Sequence, residues 1–377
     1  MPKPLKVVLT GGGTGGHLMP ALALADALTA HYADTPDQLT LTFIGNPTSM
    51  EATKVPQAGY AFEGVSFYGL PRKRNGVAQL KWILALVRAT YQADRLLGKL
   101  RPNVVVGTGG YVSAPVVLAA KRRGIPLLVH EPDATPGLVN KLMAPLATQV
   151  TGAFAQAQQA LRTRHFEVTG NPLRGFSGQA LPHAEAQAQL GVDWPEDRPV
   201  LVVIGGSQGA RQLNHAVVQA LPTLINELGL AVIHQTGDAL YEETLAALPP
   251  ELADSLYYKV MPFYPTMQAV WSLASVAVCR AGSLTLSELW AYGVPAVLVP
   301  YPHAAANHQH HNAVAVVQAG AATLLPDAEC SGKGLLASLR PLLGDEAKLH
   351  AMREVALGLA KPHATQAILA HVLRLAK

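Results

Sequence analysis

Two glycine-rich segments have the composition of an anion-binding loop. Residues 205–210 (GGSQGA) follow the apolar run 199–204 and precede a helix-like segment. Residues 11–17 (GGGTGGH) follow the apolar run 6–10 in the same way. Glycines let the backbone approach an anion closely, and the first turn of a helix offers unpaired N–H groups and a partial positive charge. Each segment is therefore predicted to bind a phosphate-like group between a buried strand and a helix.

Neither common nucleotide-binding pattern fits residues 11–17. A dinucleotide-binding Rossmann unit has an acidic residue at the end of its second strand, whereas the second predicted strand here ends at Gly45 and Asn46. A P-loop continues with Lys and then Ser or Thr, whereas this chain continues with His17 and Leu18. The segment is predicted to hold an anion outside these two classes, and a glycine turn without a ligand is the alternative.

Two more segments of the first half follow predicted strands directly. Residues 107–111 (GTGGY) follow a strand predicted at 103–106. Residues 130–137 (HEPDATPG) follow a strand predicted at 126–129. Open parallel sheets bind ligands at the carboxyl ends of their strands. Both segments are therefore predicted to share one site with residues 11–17, and a capped loop without a ligand is the alternative for 130–137.

A carboxylate lies within a predicted helix of the second half. Gly282 and Ser283 begin this helix after a strand predicted at 275–279, and Glu288 lies more than one turn further along. A carboxylate can accept hydrogen bonds from both vicinal hydroxyls of a ribose. Because a glycine loop precedes it at 205–210, Glu288 is predicted to bind a ribose, and a solvated helix glutamate is the alternative.

Several histidines lie close together in the second half. They are His303, His308, His310 and His311. His308 and His311 have the spacing of two zinc ligands on one helix face, but no cysteine or acidic residue accompanies them. Metal binding is therefore disfavoured, and residues 307–309 are predicted to hydrogen-bond sugar hydroxyls instead.

The elements that must position these segments alternate along the chain. Short apolar runs followed by helical patterns predict parallel α/β sheets. Strands are predicted at 6–10, 40–44, 103–106, 126–129, 149–151, 166–168, 199–204, 231–235, 257–260, 275–279, 295–299 and 322–325. A length of 377 residues indicates two domains, which are predicted at 1–169 and 170–360. The final helix, within 361–377, has no strand after it.

Composition narrows the class of protein. The chain is 49% hydrophobic and 14% charged, which is typical of a globular protein. Its formal net charge of +4 is too small by itself to indicate nucleic-acid binding. Cys279 and Cys330 provide no disulfide framework and suit a reducing compartment. The N-terminus does not resemble a signal peptide, and no apolar run reaches the roughly 18–20 residues of a membrane span.

A predicted helix over 77–97 has two apolar faces. A stripe at helical spacing is predicted to face the core and consists of Val77, Leu80, Leu84, Val87 and Tyr91. Trp82 and Leu86 point to the opposite face at about 100° per residue. With Lys81 and Arg88 nearby, and with a basic triplet before the helix, this second face is predicted to enter an anionic membrane. The triplet consists of Arg72, Lys73 and Arg74. Packing of the second face under a loop is the alternative.

Together these motifs closely resemble the MurG family of peptidoglycan glycosyltransferases. The resemblance spans nearly the whole chain, with the motifs in the family's order: GGGTGGH at 11–17, GTGGYVSAP at 107–115, HE at 130–131, GNPLR at 170–174, GGSQGARQLN at 205–214, CRAGSLTLSE at 279–288 and HQ..NA at 308–313. It implies the GT-B fold, in which two Rossmann-like parallel-sheet α/β domains face a cleft and the last helix returns to the first domain. It also implies transfer of N-acetylglucosamine (GlcNAc) from UDP-GlcNAc to lipid I, which gives lipid II.

The resemblance further implies a donor site, mainly on the second domain. Glu288 would hold the ribose, Ser207 with nearby N–H groups the diphosphate, and the backbone at Phe263 and Tyr264 the uracil. Arg174 and the Gln309 region would contact the diphosphate and the sugar. The implied donor-binding residues are Thr14, Gly15, Gly16, Asp133, Arg174, Ser207, Gln208, Gly209, Phe263, Tyr264, Gly282, Ser283, Glu288, His308 and Gln309.

The acceptor site and the base are implied on the first domain. The implied acceptor-binding residues are Gly12, Gly13, Thr14, His17, Gly109, Gly110 and Tyr111. Because the reaction inverts the anomeric centre, one base must take the proton of the acceptor's 4-hydroxyl. His17 is the first candidate and His130 the second. Asp133 is a third, since the family usually has Asn at this position.

The resemblance implies no cofactor. The chain lacks the Asp-x-Asp pattern by which metal-dependent glycosyltransferases hold a cation, so helix N-termini and arginine are expected to offset the charge of the leaving UDP.

The implied partners are UDP-GlcNAc, undecaprenyl-linked lipid I, the anionic inner leaflet at the cytoplasmic face of the membrane, and other cell-wall synthesis and division proteins, with no nucleic acid. Two other classes stay open, namely a GT-B epimerase acting on UDP-GlcNAc and a non-catalytic nucleotide-binding membrane scaffold.

Overall fold

Runs rich in valine, isoleucine and leucine form the central strands of two parallel sheets. The computed structural model describes residues 4–69, 76–175, 179–206, 208–264 and 267–377. The chain divides into two units, the first comprising Met1–Arg174 with Pro362–Lys377 and the second Gly175–Lys361. The central strands are buried along their whole length, as expected where helices cover both faces of a sheet.

The first unit places three ligand-competent loops side by side. Its strands are β1 (Leu5–Thr10), β2 (Leu39–Gly45), β3 (Ala61–Gly64), β4 (Val104–Gly107), β5 (Leu127–Glu131), β6 (Gln149–Gly152) and β7 (Phe166–Val168). Its helices are α1 (Gly15–His31), α2 (Glu51–Gln57), α3 (Gly76–Leu100), α4 (Ser113–Arg122), α5 (Leu138–Met143) and α6 (Ala157–Leu161). Within the described residues the sheet order is β3-β2-β1-β4-β5-β6-β7, all parallel. The loops after β1, β4 and β5 therefore leave the same edge of the sheet from neighbouring strands.

The second unit repeats this architecture. Its strands are β8 (Val200–Ile204), β9 (Ala231–Gln235), β10 (Tyr258–Met261), β11 (Val276–Cys279), β12 (Ala296–Leu298) and β13 (Ala322–Leu324). Its helices are α7 (His183–Leu190), α8 (Arg211–Pro222), α9 (Tyr241–Ala246), α10 (Met267–Leu273), α11 (Ser283–Tyr292), α12 (His308–Ala319), α13 (Gly332–Leu343) and α14 (Glu346–Leu359). The described strands pair in parallel in the order β10-β9-β8-β11-β12-β13, so the loops after β8 and β11 are also adjacent.

The predicted strands match the observed ones except at β3. This edge strand is four residues long, partly exposed, and contains Glu63 and Gly64, so it has no continuous apolar run to reveal it. The domain boundary predicted after residue 169 lies near the boundary between the units, which follows Arg174.

The last helix, α15 (Ala364–Leu375), belongs to the first unit. Ile368 and Val372 are buried in the same core as Leu9 and Leu22. His371 Nε2 lies 2.9 Å from the Glu167 carboxylate. The first unit therefore contains both ends of the described chain.

Helix α3 is amphipathic, but its faces are the reverse of those predicted. Trp82 and Leu86 are partly buried and pack against the core of the first unit. The Trp82 ring centroid lies 5.4 Å from that of Phe67, and its Nε1–H donates to the Tyr68 carbonyl at 3.2 Å. The prediction that Trp82 and Leu86 enter a membrane is therefore wrong.

The predicted core stripe of α3 is exposed instead. More than half of each side chain's surface is accessible in the outer stripe, which consists of Val77, Leu80, Ile83, Leu84, Val87 and Tyr91. The inner face includes Ala89 and Ala93, whose small side chains let α3 lie close against α4. Helical spacing shows two apolar faces but does not identify the one that packs. Arg72, Lys73 and Arg74 lie outside the described residues.

Among the described helices, none combines the length and the apolar character that a bilayer span requires. Cys279 and Cys330 are both buried and free.

Candidate active site

The loops after β1 and β4 pack directly on each other in the first unit. The N–H of Gly12 donates to the Gly109 carbonyl at 3.4 Å. Gly110 has a φ of +83°, and a Cβ at this position would collide with the Gly12 carbonyl oxygen. Only glycine therefore allows this approach of the two loops, and the predicted acceptor residues Gly12, Gly109 and Gly110 do lie together.

His17 is oriented by both loops. Its Nδ1 lies 3.0 Å from Thr14 Oγ1, and its carbonyl accepts a hydrogen bond from Thr108 Oγ1 at 2.6 Å. Its ring packs over the Cα of Gly109, since a Cβ there would come 2.6 Å from His17 Cδ2. These contacts fix the position of the His17 ring against the loops after β1 and β4.

A buried carboxylate that was not predicted from the sequence anchors the glycine loop at residues 11–17. Glu51, at the start of α2, is 1% exposed. It accepts the Gly13 N–H at 3.0 Å and the Asn46 N–H at 3.1 Å, and a Cβ at Gly12 would collide with it. The N–H groups of Gly12 and Gly13 therefore have acceptors inside the protein, so the anion contact predicted for residues 11–17 would have to use other groups of this loop. Gly15 begins α1 with open space beside it.

We expect Glu51→Ala to lower the free energy of unfolding by about 2–4 kcal/mol, because two backbone N–H groups lose a buried carboxylate acceptor. Urea denaturation measures this change. Glu51→Gln keeps one side-chain oxygen and should recover about half of the loss. An unfolding free energy of Glu51→Ala within about 0.5 kcal/mol of the wild type, the range of ordinary surface changes, would contradict this role.

His130 lies in the protein interior rather than at the reaction centre. It is 1% exposed. Its Nδ1 lies 3.0 Å from Thr151 Oγ1 and its Nε2 lies 3.0 Å from Asn171 Oδ1. Burial lowers the pKa of His130 to about 4, so the ring is neutral at pH 7. Because both ring nitrogens already have protein partners, the structure contradicts the assignment of His130 as a base.

Glu131 organises the loop after β5. Its carboxylate accepts the N–H of Asp133 at 2.9 Å, the N–H of Gly137 at 3.2 Å and the side-chain amide of Asn140 at 2.9 Å. Burial, together with the nearby charge of Asp133, raises the pKa of Glu131 to about 8. The Asn140 amide also lies near Gly109, so this loop meets the other two. Asp133 itself is partly exposed.

Two further predicted residues of the first unit have partners within that unit. The Tyr111 ring lies beside Gly69, since a Cβ there would come 3.1 Å from ring atoms. Arg174 Nε donates to the Asp26 carboxylate at 2.7 Å, and the same carboxylate accepts the Tyr60 hydroxyl at 2.6 Å. Arg174 therefore forms an ion pair with Asp26 within the first unit.

The glycine loop of the second unit packs against the loop after β9. Gly209 has a φ of +75°, and a Cβ there would collide with the Thr236 carbonyl oxygen. A Cβ at Gly237 would collide with the backbone of Gly209. These contacts fix the turn that leads into α8, and the neighbouring Gln208 is exposed. Ser207 lies outside the described residues.

Glu288 follows the predicted helix start. Gly282 is the N-cap of α11 and Ser283 is its first residue. Burial raises the pKa of Glu288 to about 7, although the hydrogen bond from Trp271 opposes this rise. The Nε1–H of Trp271 donates to Glu288 Oε2 at 3.1 Å. Sequence reasoning did not identify Trp271, since nothing in its local pattern links it to a helix that begins twelve residues later.

The two residues predicted to contact the uracil differ in exposure. Phe263 is 48% exposed, but Tyr264 is 3% exposed. The Tyr264 N–H donates to Gln235 Oε1 at 3.1 Å and its hydroxyl donates to the Lys259 carbonyl at 2.9 Å. The N–H of Tyr264 therefore already has an acceptor in the protein, so the predicted backbone contact with the uracil would have to use other backbone groups at Phe263 and Tyr264.

The segment at the start of α12 is anchored to the loop after β12. Gln309 Oε1 accepts the Tyr301 N–H at 2.9 Å, and His308 Nδ1 lies 2.8 Å from the Ala305 carbonyl oxygen. These bonds use the side-chain oxygen of Gln309 and one ring nitrogen of His308. In the part of the chain that the structure describes, no cluster of His, Cys, Asp and Glu has the arrangement of a metal site.

Comparison with known proteins agrees with this architecture. Residues 7–151 match the glycosyltransferase family 28 N-terminal domain, and residues 200–368 match the glycosyltransferase family 28 C-terminal domain. A relative from Halothermothrix orenii is 37% identical, over 97% of this chain and 97% of its own. A relative from Salinibacter ruber is 40% identical, over 98% of this chain and 96% of its own. Both are named UDP-N-acetylglucosamine--N-acetylmuramyl-(pentapeptide) pyrophosphoryl-undecaprenol N-acetylglucosamine transferase.

A solved structure leads to the same family. The crystal structure of Acinetobacter baumannii MurG is 30% identical and superposes with a TM-score of 0.75, over 98% of this chain and 100% of that one. The likeness confirms the predicted GT-B fold of two Rossmann-like parallel-sheet units. Both halves of the chain match the two domains of one family, over nearly the full length of its members. The chain is therefore a glycosyltransferase that belongs to family 28 and, within it, to the MurG family of N-acetylglucosamine transferases.

Proposed function

We propose that this chain transfers GlcNAc from UDP-GlcNAc to the 4-hydroxyl of MurNAc in undecaprenyl-diphospho-MurNAc-pentapeptide, with inversion of the anomeric carbon. The acceptor oxygen forms a bond to that carbon as the bond to the UDP oxygen breaks, and a base takes the hydroxyl proton. The observation that carries the proposal is the likeness, over 97% of the chain, to a relative named for this transfer.

In this proposal the second unit binds the donor. Glu288 accepts the two ribose hydroxyls, and Phe263 offers an exposed ring near the uracil. The turn that includes Gly209 leads into α8, and Gly282 leads into α11, so the N-termini of both helices supply N–H groups toward the diphosphate. The same groups stabilise the negative charge that develops on the leaving UDP.

In the same proposal the first unit presents the acceptor hydroxyl to His17. His17 Nδ1 lies at hydrogen-bond distance from Thr14 Oγ1, and in this proposal Nε2 takes the proton as the hydroxyl attacks. Gly109 permits this placement, because any larger residue would displace the ring. Asp133, on the neighbouring loop, is the remaining rival for the base.

One assay tests the reaction class. UDP release from UDP-GlcNAc is measured with and without a soluble lipid I analogue, in EDTA. We expect release only with the acceptor, and undiminished by EDTA. Acceptor-independent conversion of the donor to its C2 epimer would instead indicate an epimerase, and donor binding without any turnover would indicate a scaffold. Strict dependence on a divalent cation would contradict the metal-free mechanism.

The outer stripe of α3 supports a proposed docking site for an anionic leaflet. Its six apolar residues are exposed on one face of a 25-residue helix, and the exposed side chains of Lys81 and Arg88 fall beside one edge of the stripe at about 100° per residue. Leu138 and Leu142 of α5 are also about half exposed. An apolar face flanked by basic residues is typical of helices that lie in the membrane interface. The proposed leaflet is the cytoplasmic one, where the lipid-linked acceptor is presented.

We expect Leu80→Ser/Leu84→Ser/Val87→Ser to weaken binding to anionic vesicles by roughly a hundredfold, since each exposed side chain loses about 1 kcal/mol of burial in the interface. Vesicle sedimentation measures this loss, and the thermal midpoint should stay unchanged because the replaced side chains make little contact with the core. Leu256→Ser, at a residue of the second unit that is 84% exposed, is the control and should bind as the wild type does. If the triple variant sediments with vesicles as fully as the wild type, the proposed membrane contact of α3 is wrong.

A further inference from the structure

The Glu288 carboxylate accepts a hydrogen bond from a buried indole. Trp271 lies in α10 and is 2% exposed. Its Nε1–H donates to Glu288 Oε2 at 3.1 Å. Helix α10 packs against both α7 and α11, so the ring is held between elements of the second unit and cannot follow the carboxylate if the carboxylate moves.

This contact limits the freedom of an otherwise flexible side chain. A glutamate in solution samples many rotamers, and a ligand that binds it must select one of them. Tying one oxygen to a buried ring selects the rotamer before the ligand arrives. An ionised carboxylate has about four lone-pair positions, and the indole uses one of them, so Oε1 and part of Oε2 stay available to a ligand.

We propose that Trp271 is a positioning residue for donor recognition, which orients Glu288 so that its carboxylate accepts both ribose hydroxyls of a nucleoside diphosphate. The proposal rests on the proposed role of Glu288 at the ribose. It assigns Trp271 no contact with the reacting atoms, so its effect should appear in donor affinity and not in the chemical step.

The neighbouring ionisable groups keep a constant charge near neutral pH. Cys279 on β11 and Tyr292 on α11 both interact with Glu288, and burial raises the pKa of each to about 12. Helix α10 carries no ionisable side chain, and Arg353 of α14 lies beside Gly293, past the end of α11. Burial raises the pKa of Glu288, and the Trp271 hydrogen bond partly offsets this rise, so that the resulting value is about 7. Loss of the indole N–H should therefore raise this pKa further.

Trp271→Phe tests the proposal, because it keeps a buried ring and removes only the N–H donor. We expect UDP affinity, measured by calorimetry at pH 7.5, to fall by about three- to tenfold, with kcat at saturating donor within about twofold of the wild type. The pH at which half of the affinity is lost should move upward. Trp194→Phe is the matched control, since Trp194 is 4% exposed in the same unit and donates to the Leu256 carbonyl, and it should leave affinity and pH profile unchanged.

The Glu288→Ala background separates the possible outcomes. If Trp271 acts through Glu288, adding Trp271→Phe to Glu288→Ala should change UDP affinity by less than about 1.5-fold, since independent effects would add. Equal affinities of wild type and Trp271→Phe across pH 6–9, with a clear loss in Glu288→Ala, would overturn the positioning role alone. Unchanged affinity in Glu288→Ala would instead overturn the proposed role of Glu288.

A second readout needs no change at Trp271. The indole ¹⁵N–¹H resonance of Trp271 is assigned as the one that Glu288→Gln shifts. In the wild type, the chemical shift of this resonance should change with pH, with the same midpoint as the UDP affinity. It should also change when UDP is added. A resonance that neither pH nor UDP changes would overturn the proposal even if Trp271→Phe fails to fold.

Discussion

Replacing His17 with alanine is expected to lower kcat by at least about a hundredfold, which is the lower end of what general-base catalysis contributes. The proton of the acceptor hydroxyl would then have no imidazole Nε2 to receive it during attack on the anomeric carbon. Donor affinity should stay near normal, because the residues proposed to hold UDP-GlcNAc belong to the second unit. Single-turnover kinetics with a lipid I analogue, together with UDP calorimetry, measure both quantities.

Two further variants identify the base. Thr14→Val removes the partner of His17 Nδ1 but keeps the imidazole, so its loss of kcat should be smaller, within about tenfold if it costs one neutral hydrogen bond. Asp133→Asn restores the residue that the family usually has, and we expect it to keep most of the activity. If Asp133→Asn abolishes turnover while His17→Ala does not, the base is Asp133 and the proposed role of His17 is wrong.

Glu288→Ala is expected to weaken UDP-GlcNAc binding by about 1.5–3 kcal/mol, the scale of hydrogen bonds to a charged group, or roughly 10- to 150-fold. Glu288→Gln keeps one acceptor oxygen and should lie between this variant and the wild type. Calorimetry at pH 8 measures the difference. Near-normal affinity in Glu288→Ala would exclude Glu288 from the donor site.

The same carboxyl predicts a pH dependence. The pKa of Glu288 is raised to about 7 in the folded protein, so its carboxylate is ionised above pH 7 and protonated below it. A protonated carboxyl loses acceptor capacity for the ribose hydroxyls, and donor affinity should therefore fall as the pH drops through 7. At pH 6 about one-tenth of the groups are ionised, which predicts an affinity loss of up to about tenfold. In Glu288→Gln this dependence should disappear.

Local patterns predicted those parts of the site that depend on contacts close in the chain. The glycine loops follow buried strands. His17 lies in the helix that begins at the first loop, and Glu288 lies in the helix that begins after Gly282, so strand, turn and helix signals placed both residues in the fold. Burial of a histidine at a strand end is not visible in the same pattern. His130 lies at the end of a strand, where catalytic residues of parallel sheets are also found. Its burial depends instead on two partners, Thr151 and Asn171, which lie 21 and 41 positions away in the sequence.

The residues that the sequence did not reveal act across long separations. Glu51 accepts a hydrogen bond from the N–H of Gly13, which is 38 positions away in the sequence. Gln235 accepts one from the N–H of Tyr264, which is 29 positions away. The prediction of which face of α3 is buried was wrong for a related reason. Its two faces are both apolar, and the alanines that allow contact with α4 are individually uninformative, so only the packed neighbour decides which face is inside.

The position of α15 in the first unit has a consequence for how the protein is made. On the ribosome, the strands and helices that surround Leu9 and Leu22 are synthesised before the second unit, but Ile368 and Val372, which complete that core, are synthesised after it. At about 5–20 residues per second, the second unit takes roughly 10 to 40 seconds to emerge in between. During this interval the nascent first unit exposes the apolar surface that α15 later covers, and apolar surface exposed in this way favours aggregation. A premature stop codon near the end of the gene would therefore damage the half of the protein that was translated first.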